Sequence, residues 1–392
     1  MKNKKNFLVF TGNRAEFGLV LPILEEMKKT KLNFSLVISG AHLDNNFGNT
    51  LKEIKNLGYK NFFKAKINIS ANNKAYTPLS ISEGIKKISK LILKINPDAM
   101  IIYADRFEGF AATIASTQMM IPTIHLEGGD ITEGGVFDDN IRHAMTKLSH
   151  FHFTSNQEAK KRILLMGEEE WRVKNIGFTI EDHLKKKSFT NEIELIKKYK
   201  LIKNQKIIIF TLHPNPLDIN SSINELKNCI KVLLKFPKCK IILTYPNNDK
   251  GSEKIIKILN NYKHKFDVIR SLGQRDYHGL LNLSLQNWHV VIMGNSSSGI
   301  KESPFFKCPT LDVGSRQQSR LRAKNVINAE NNYKKIYLGL KKVLSIKFKN
   351  QIKTLDNPYK KKNPSINFIN FLKTTDFKNP KVLNKKMTIK FK

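Results

Sequence analysis

Short apolar segments alternate with amphipathic helical segments along the first half of the chain, and this alternation restricts the folds open to it. The apolar segments lie at 7–10, 36–39, 99–103, 123–126 and 151–154. Nearly continuous apolar strands that are separated by helices are typical of a parallel sheet covered on both faces. The pattern therefore predicts an α/β fold.

The same alternation restarts in the second half, after a Lys-rich polar segment. Its strand-like segments lie at 207–211, 241–244, 268–270, 290–293 and 310–313. We therefore expect an N-terminal domain over 1–182, a linker helix over 183–204, a second α/β domain over 205–345, and a C-terminal helix with a basic tail over 346–392. Because open α/β sheets bind ligands beyond the carboxyl ends of their strands, a site in the cleft between the domains is expected.

The charge balance is strongly basic, with 68 Lys and Arg residues against 33 Asp and Glu residues and a net charge of +35. The lysines are scattered, which indicates solvated surfaces rather than a nucleic-acid-binding patch. The tail is denser, with 13 Lys and two acidic residues over 345–392. We expect this tail to be solvated and only partly ordered.

Three cysteines without a CxxC pair disfavour a disulfide scaffold and a structural zinc site. The apolar run at 7–10 is too short for a signal sequence, and no run approaches 18 apolar residues. The sequence therefore predicts a cytoplasmic protein without membrane insertion.

Acidic residues follow two successive strands of the predicted N-terminal domain. Asp105 comes after the strand at 99–103, and Glu127 comes directly after the strand at 123–126. Carboxylates at one sheet edge repel each other, which raises a pKa as general acid–base catalysis requires. The alternative is that Asp105 caps the next helix and pairs with Arg106.

A Gly-rich segment then leads into a helix that begins at Asp138 or Asp139 and carries Arg142. One of the two acids is expected to cap this helix, which leaves the other for chemistry.

The segment GNSSSGIKE follows the strand at 290–293. Ser296 and Ser297 lie where backbone N–H groups and hydroxyls can hold a diphosphate, and Glu302 could accept from a ribose hydroxyl. Neither a P-loop lysine nor a GxGxxG motif is present, which disfavours P-loop and nicotinamide-dinucleotide sites. The alternative is a Ser-rich helix cap.

Three basic side chains also follow strand ends, and they suit an anionic ligand. Arg14 follows the first strand, His213 follows the strand at 207–211, and Arg316 follows the strand at 310–313. Arginine offers a forked donor to phosphate, and histidine can act as a proton donor or a phosphate ligand. The alternatives are a surface arginine in a turn and a loop histidine with a structural hydrogen bond.

Several motifs together resemble the hydrolysing UDP-N-acetylglucosamine 2-epimerases over about residues 7–330. They are TGNRAEFG, ADRFE, HLEGGDITEGGVFDDNIRHAMTKLSH, GNSSSGIKE and GSRQQSR. The resemblance implies two Rossmann-like domains in the GT-B arrangement, with parallel sheets facing a cleft and UDP held mainly by the C-terminal domain. It also implies no cofactor, no metal, no nucleic-acid partner, and a homodimer or larger homo-oligomer.

The reaction implied by this resemblance is an anti elimination of UDP to a 2-acetamidoglucal. Hydration of the glucal then gives N-acetylmannosamine, a precursor of sialic-type acids. Carried over residue by residue, the catalytic set is Asp105, Glu127, Asp138, Arg142 (as a neighbour that tunes Asp138) and His213. The UDP-binding set is Arg14, His213, Ser296, Ser297, Glu302 and Arg316.

Some positions depart from the family pattern, and the substrate and reaction type stay open. Glu16 stands where the family usually has Asp, and Tyr103 and Ala104 precede Asp105 in place of the family's usual residues. The substrate could be the diacetamido sugar of the legionaminic acid pathway. A non-hydrolysing epimerase, a retaining glycosyltransferase of the same architecture, and a basic RNA- or lipid-binding protein are the rival functions.

Overall fold

The computed structural model of the protein describes residues 5–43, 50–67, 75–103, 105–132, 138–247 and 249–389. The chain divides into two compact units. The first unit comprises Met1–Ile131, Phe137–Asp182 and Lys361–Lys392, and the second comprises Thr132–Val136 and His183–Lys360. None of the helices in the described ranges is long and apolar enough to cross a membrane.

The first unit is built on a seven-stranded parallel sheet in the order β3-β2-β1-β4-β5-β6-β7. Its strands are β1 (Asn6–Thr11), β2 (Asn33–Ser39), β3 (Phe62–Ala65), β4 (Ala99–Tyr103), β5 (Thr123–Leu126), β6 (Phe151–Thr154) and β7 (Val173–Asn175). Its helices are α1 (Arg14–Lys29), α2 (Leu51–Asn56), α3 (Tyr76–Ile95), α4 (Phe107–Gln118), α5 (Asp138–Leu148), α6 (Gln157–Leu165), α15 (Pro364–Thr374) and α16 (Pro380–Leu383). Short 3-10 turns lie at Gly40–Leu43 and Glu170–Arg172.

The second unit is built on a six-stranded parallel sheet in the order β10-β9-β8-β11-β12-β13. Its strands are β8 (Ile207–Thr211), β9 (Lys240–Thr244), β10 (Asp267–Ile269), β11 (Val290–Gly294), β12 (Thr310–Val313) and β13 (Val326–Ala329). Its helices are α8 (Glu192–Tyr199), α9 (Ile219–Leu233), α10 (Ser252–Asn260), α11 (Gly273–Leu283), α12 (Ser298–Lys301), α13 (Tyr333–Val343) and α14 (Ile346–Gln351), with a 3-10 turn at Ser303–Phe306. Helix α7 (Ile180–Lys186) spans the boundary between the units.

Both sheets have helices packed on their two faces, which confirms the predicted α/β class with two Rossmann-like sheets. In the first unit, Phe7 and Val9 of β1 belong to one apolar cluster, whereas Leu8 and Phe10 belong to another. All four side chains are at most 1% exposed. This alternation explains why the central strands read as continuous apolar runs in the sequence.

The segment predicted to be a linker helix packs within the second unit. Its helix α8 ends next to α11, where Lys198 and the Tyr199 hydroxyl both donate to Asp276 Oδ2, at 2.6 and 2.5 Å. Thr190 Oγ1 donates to the other oxygen of the same carboxylate at 2.6 Å. These contacts fix the Lys-rich segment to the body of the unit.

The expectation of a solvated, partly ordered C-terminal tail is wrong for the segment around α15, whereas residues 383–389 are mostly exposed. Helix α15 buries Phe368 and Leu372 completely, and Phe368 packs edge-on against Phe153 of β6 at 4.7 Å between ring centroids. Apolar residues at 368, 371 and 372 follow helical spacing and face the core. The high Lys content of the segment hid this apolar stripe.

Candidate active site

Arg142 is the centre of a buried charge cluster in the first unit. It projects from the second turn of α5 and is only 1% exposed. Its guanidinium forms ion pairs with the carboxylates of Asp105 and Asp139 and donates to the carbonyl oxygen of Asp130 at 3.0 Å. Burial by itself would lower the pKa of Arg142, but the carboxylates, Asp105 foremost, outweigh it and raise the pKa. The arginine is therefore a permanent buried cation between two acids.

Two of the carboxylates predicted to be catalytic follow the carboxyl ends of neighbouring strands, and the third begins a helix. Strands β4 and β5 are adjacent in the sheet, with Tyr103 opposite Leu126. Asp105 follows the first strand and Glu127 follows the second, while Asp138 begins α5 one turn before Arg142. The structure thus joins Asp105 to Arg142 directly and adds Asp139, which the sequence pattern left as one of two possible caps.

Glu127 adopts a left-handed backbone conformation, with φ of +66°. This conformation costs a residue with a side chain about 1–2 kcal/mol, and such strain is concentrated at functional sites. The Glu127 N–H donates to the carbonyl oxygen of Phe153 at 2.7 Å, which fixes the turn. Glu127 also lines a small crevice in the first unit, together with Tyr103, Ser155 and Phe178.

A second pair of buried acids, Glu16 and Glu108, was not among the site residues predicted from the sequence, although Glu16 was noted as a departure from the family pattern. Glu16 Oε2 accepts from the Gly12 N–H at 2.8 Å, and Glu108 Oε2 lies 3.3 Å from Arg106 Nε. Burial, reinforced by the Glu108 carboxylate, raises the pKa of Glu16 to about 8. The available signal was the position of both acids in the first turn of a helix that follows a strand end.

In the second unit, Asn295 organises the loops that follow β8 and β11. Its Oδ1 accepts from the His213 N–H at 2.7 Å, and its Nδ2 donates to the His213 carbonyl oxygen at 2.9 Å. The paired strand ends Thr211 and Gly294 lie directly opposite each other. The predicted ligands His213 and Ser296 therefore follow neighbouring strand ends, as the sequence pattern indicated.

His213 is held in one tautomer. Its Nδ1 accepts from the Asn247 N–H at 3.0 Å, so the neutral ring carries its proton on Nε2. Burial, with a further contribution from Arg316, lowers the pKa of His213 to about 3. A neutral imidazole suits a hydrogen-bond donor to a ligand better than a general acid.

The serine loop has internal hydrogen bonds that fix its hydroxyls. Ser296 Oγ lies 3.2 Å from Ser298 Oγ, which in turn lies 2.7 Å from the Tyr277 hydroxyl. Ser297 precedes the short helix α12. Glu302, predicted as a ribose acceptor, has its Oε2 2.7 Å from His278 Nε2, a neighbour that the sequence pattern does not reveal.

Arg316 lies in the same group of loops as His213 and Ser296. Its Nη1 is 3.5 Å from the Asn295 carbonyl oxygen, and its Nη2 is 3.8 Å from Asp249. The preceding Gly314 has φ of +78°, and a Cβ there would lie 2.2 Å from Glu225 Oε2. The positive φ favours glycine at this turn, and a Cβ there would have to displace the buried carboxylate of Glu225.

Arg14 differs in its placement from the other predicted UDP ligands. It begins α1 in the first unit, where its Nε lies 3.1 Å from Glu53 Oε2. The other five predicted ligands belong to the second unit. Across the described part of the chain, no group of three His, Cys, Asp or Glu residues is placed to hold a metal ion.

Comparison with known proteins decides the family. The family model described as UDP-N-acetylglucosamine 2-epimerase matches residues 25–373. The chain belongs to this family. The motifs that carry Asp105, Glu127, Asp138, the serine loop and Arg316 fall within the matched region, whereas the motif TGNRAEFG precedes it.

Two curated relatives of this epimerase cover most of both chains. A Campylobacter jejuni protein named GDP/UDP-N,N'-diacetylbacillosamine 2-epimerase (hydrolyzing) is 35% identical over 84% of this chain and 85% of its own. The Escherichia coli polysialic acid biosynthesis protein P7 is 31% identical over 94% of both.

A solved structure has the same fold as this chain. It is a Neisseria meningitidis UDP-GlcNAc 2-epimerase bound to UDP-GlcNAc, with a TM-score of 0.80 and 18% identity over 95% of this chain and all of that one.

Proposed function

We propose that this enzyme is a hydrolysing UDP-N-acetylglucosamine 2-epimerase, which converts UDP-N-acetylglucosamine and water to N-acetylmannosamine and UDP. The observation that carries the proposal is the buried Arg142, paired with Asp105 and Asp139 beside the end of β4 in a chain of this family. The product would supply the synthesis of sialic-type acids.

The proposed reaction has two steps. A carboxylate removes the proton at C-2, the electron pair forms the C-1–C-2 double bond, and the bond from C-1 to the phosphate oxygen breaks, so that UDP leaves. Water then adds its hydroxyl group to C-1 and a proton returns to C-2 on the opposite face. Elimination followed by hydration leaves the overall oxidation state unchanged, so no redox cofactor is needed.

The acids of the first unit support the proton transfers. The C-2 proton is weakly acidic, so a base and a stabilised leaving group must act together. We assign the base, the acid and the orientation of water to Asp105, Glu127 and Asp138 as a set, with Arg142 fixing Asp105. The left-handed backbone of Glu127 supports a positioned carboxylate at the end of β5.

The loops of the second unit support binding of UDP. His213, after β8, offers an uncharged Nε2 donor, and Arg316 offers a cation. Ser296 and Ser297 offer hydroxyls after the adjacent strand β11. Glu302 is proposed to accept from a ribose hydroxyl, and Arg14 to contact the anionic substrate from the first unit. These donors would stabilise the negative charge that develops on UDP as it leaves.

The second candidate substrate is the UDP-linked diacetamido sugar N,N'-diacetylbacillosamine. Two relatives favour it, because their names give this sugar as substrate of a hydrolysing 2-epimerase. One is the Campylobacter jejuni protein, and the other is a Legionella pneumophila protein that is 30% identical over 88% of this chain. The chemistry at C-1 and C-2 is common to both substrates.

Separate incubations with the two UDP-sugars test the function. Ion-exchange chromatography of the products should show free UDP and a free 2-epimeric sugar in equal amounts from one of them. A UDP-linked 2-epimer would indicate the non-hydrolysing reaction instead. No turnover of either UDP-sugar without an added acceptor would indicate a glycosyltransferase.

We further propose a homodimer or larger homo-oligomer in the cytoplasm. Three free cysteines and a nucleotide-sugar substrate support this location. Light scattering of the purified protein and fractionation of cells test the two statements, and a monomer or a membrane-associated pool would contradict them.

A further inference from the structure

The chain segment that follows α16 (Pro380–Leu383) caps the C-terminal end of α5. The Nζ of Lys385 donates to the carbonyl oxygens of Ser149, Lys147 and Thr146, at 2.6, 2.7 and 3.4 Å. The last carbonyls of a helix lack partners within it and carry the negative end of its dipole. A lysine from more than 230 positions away in the chain satisfies this helix end.

A buried carboxylate holds the lysine in place. Glu168 Oε2 lies 2.8 Å from Lys385 Nζ, and the same carboxylate accepts from Lys147 Nζ at 2.6 Å and contacts His152 Nε2 at 3.2 Å. Burial would raise the pKa of Glu168, but these donors outweigh it and lower the pKa to about 2. Glu168 is therefore ionised at neutral pH and fixes the ammonium group.

A second buried side chain fixes the backbone of this segment. Arg172 Nη1 donates to the Val382 carbonyl oxygen at 2.7 Å, and its Nη2 donates to those of Lys381 and Asn384 at 2.7 and 3.0 Å. Arg172 is itself 1% exposed. Arg172 therefore fixes the backbone just before Lys385, while Glu168 fixes the Lys385 ammonium group.

The capped end of α5 is connected to the candidate active site. The Thr146 hydroxyl donates to the Arg142 carbonyl oxygen at 3.0 Å and lies 3.5 Å from His125 Nδ1, two residues before Glu127. Arg142 forms the ion pairs with Asp105 and Asp139. An 11-residue helix is about 16 Å long and moves as a rigid body, so fixing one end restricts the other.

We propose that Lys385 is a positioning residue for the epimerase reaction, acting by fixing α5 so that Arg142 and the acids at its N-terminal end keep their geometry. The inference rests on the proposed function. A shift of about 1 Å in a catalytic group can reduce a rate about 100-fold, so even partial loosening of the helix has a measurable effect.

The test compares Lys385→Met with Lys386→Met, which places the same substitution on an exposed neighbour. For Lys385→Met we expect kcat to fall by about tenfold, with KM for the UDP-sugar changed by less than about twofold. Lys386→Met should match wild type, and Lys385→Arg should recover at least about half of the lost kcat, because it restores a cation at the helix end.

Several results would overturn the inference. They are an unchanged kcat in Lys385→Met, a loss confined to KM, an equal loss in Lys386→Met, or no recovery with arginine. If Lys385→Met does not fold, Lys385→Gln is measured in the same way, and failure of both variants to fold would show a structural role instead. A wild-type enzyme that releases no UDP would contradict the proposed function itself, before any variant is compared.

Discussion

Replacing Asp105 with asparagine removes one negative charge from the buried cluster around Arg142 and leaves its shape intact. Asparagine keeps an oxygen that can accept from the guanidinium. Arg142 is 1% exposed, so it cannot turn to water when its partner is neutralised. The substitution therefore separates the electrostatic role of Asp105 from its packing.

The structure sets the size of the stability change. Removing one partner of a buried ion pair costs about 3–5 kcal/mol when the other charge is left uncompensated. Here Asp139 still pairs with Arg142, the Asp130 carbonyl still accepts from it, and the Asp105 side chain is 18% exposed. We expect a loss of about 2 kcal/mol, which lowers the Tm by about 4–8 °C for a unit of this size.

The effect on turnover should be far larger than the effect on UDP binding. Loss of a group that transfers or directs a proton costs about 10²–10⁴ in rate, so kcat of Asp105→Asn should fall about 1,000-fold. The Kd for UDP should stay within about twofold, because five of the six predicted ligands belong to the second unit. UDP release followed by chromatography, titration calorimetry with UDP and thermal melting give the three quantities.

Asp139→Asn is the matched control, since Asp139 is the other carboxylate on Arg142 and lies outside the predicted catalytic set. It should lower the Tm by a similar amount and reduce kcat by less than about tenfold. Retention of more than a tenth of wild-type kcat in Asp105→Asn would refute the reasoning. An equal loss of kcat in both variants would assign Asp105 a role in holding Arg142 only.

Three further predictions concern the nucleotide loops and the buried acids. Arg316→Ala should raise the Kd for UDP by at least about tenfold in calorimetry, because a charge-assisted hydrogen bond to phosphate is lost; an unchanged Kd would remove Arg316 from the site. Gly314→Ala should lower the free energy of unfolding in urea by about 2 kcal/mol or more, because the new Cβ would lie 2.2 Å from Glu225 Oε2. Gly58 has φ of +77° and open space around it, so Gly58→Ala should cost only about 1 kcal/mol. Equal losses in the two variants would contradict the steric reason. Glu16→Gln should raise the Tm relative to wild type more at pH 8 than at pH 5. The pKa of Glu16 is raised from 4.5 to about 8, so the stability of the wild-type protein falls as the pH rises between these values. A difference in Tm that does not change with pH would contradict burial of the protonated acid.

Much of the fold could be predicted because the central strands are buried on both faces. The segments at 99–103, 123–126, 151–154, 207–211 and 310–313 coincide with observed strands. Strands β3, β7 and β13 were missed because they are short and lie at the sheet edges, where the apolar run is interrupted by Lys64, Lys174 and Asn328.

The C-terminal segment shows why charge density misled the sequence interpretation. Its lysines dominate the composition, yet Lys385 is used inside the structure as a helix cap, and Phe368 belongs to the core. Contacts of this kind join residues more than 200 positions apart, and no local pattern reports them.

The site was predictable only in part. The acids and the serine loop are local signals at strand ends, so the sequence could propose Asp105 and Ser296 as candidate site residues. The non-local partners could not, because Arg142 reaches Asp105 and Asn295 orients His213 only once the strands are adjacent. Assignment of roles to the acids stays a prediction.

The most direct test of the account is mass spectrometry of the products formed in ¹⁸O-labelled water from the UDP-sugar that is turned over. Cleavage between C-1 and oxygen predicts one heavy oxygen in the free sugar and none in UDP, and a parallel reaction in D₂O should place deuterium at C-2. Heavy oxygen in UDP, or release of a sugar that keeps its original hydrogen and configuration at C-2, would contradict elimination by the acids of the first unit.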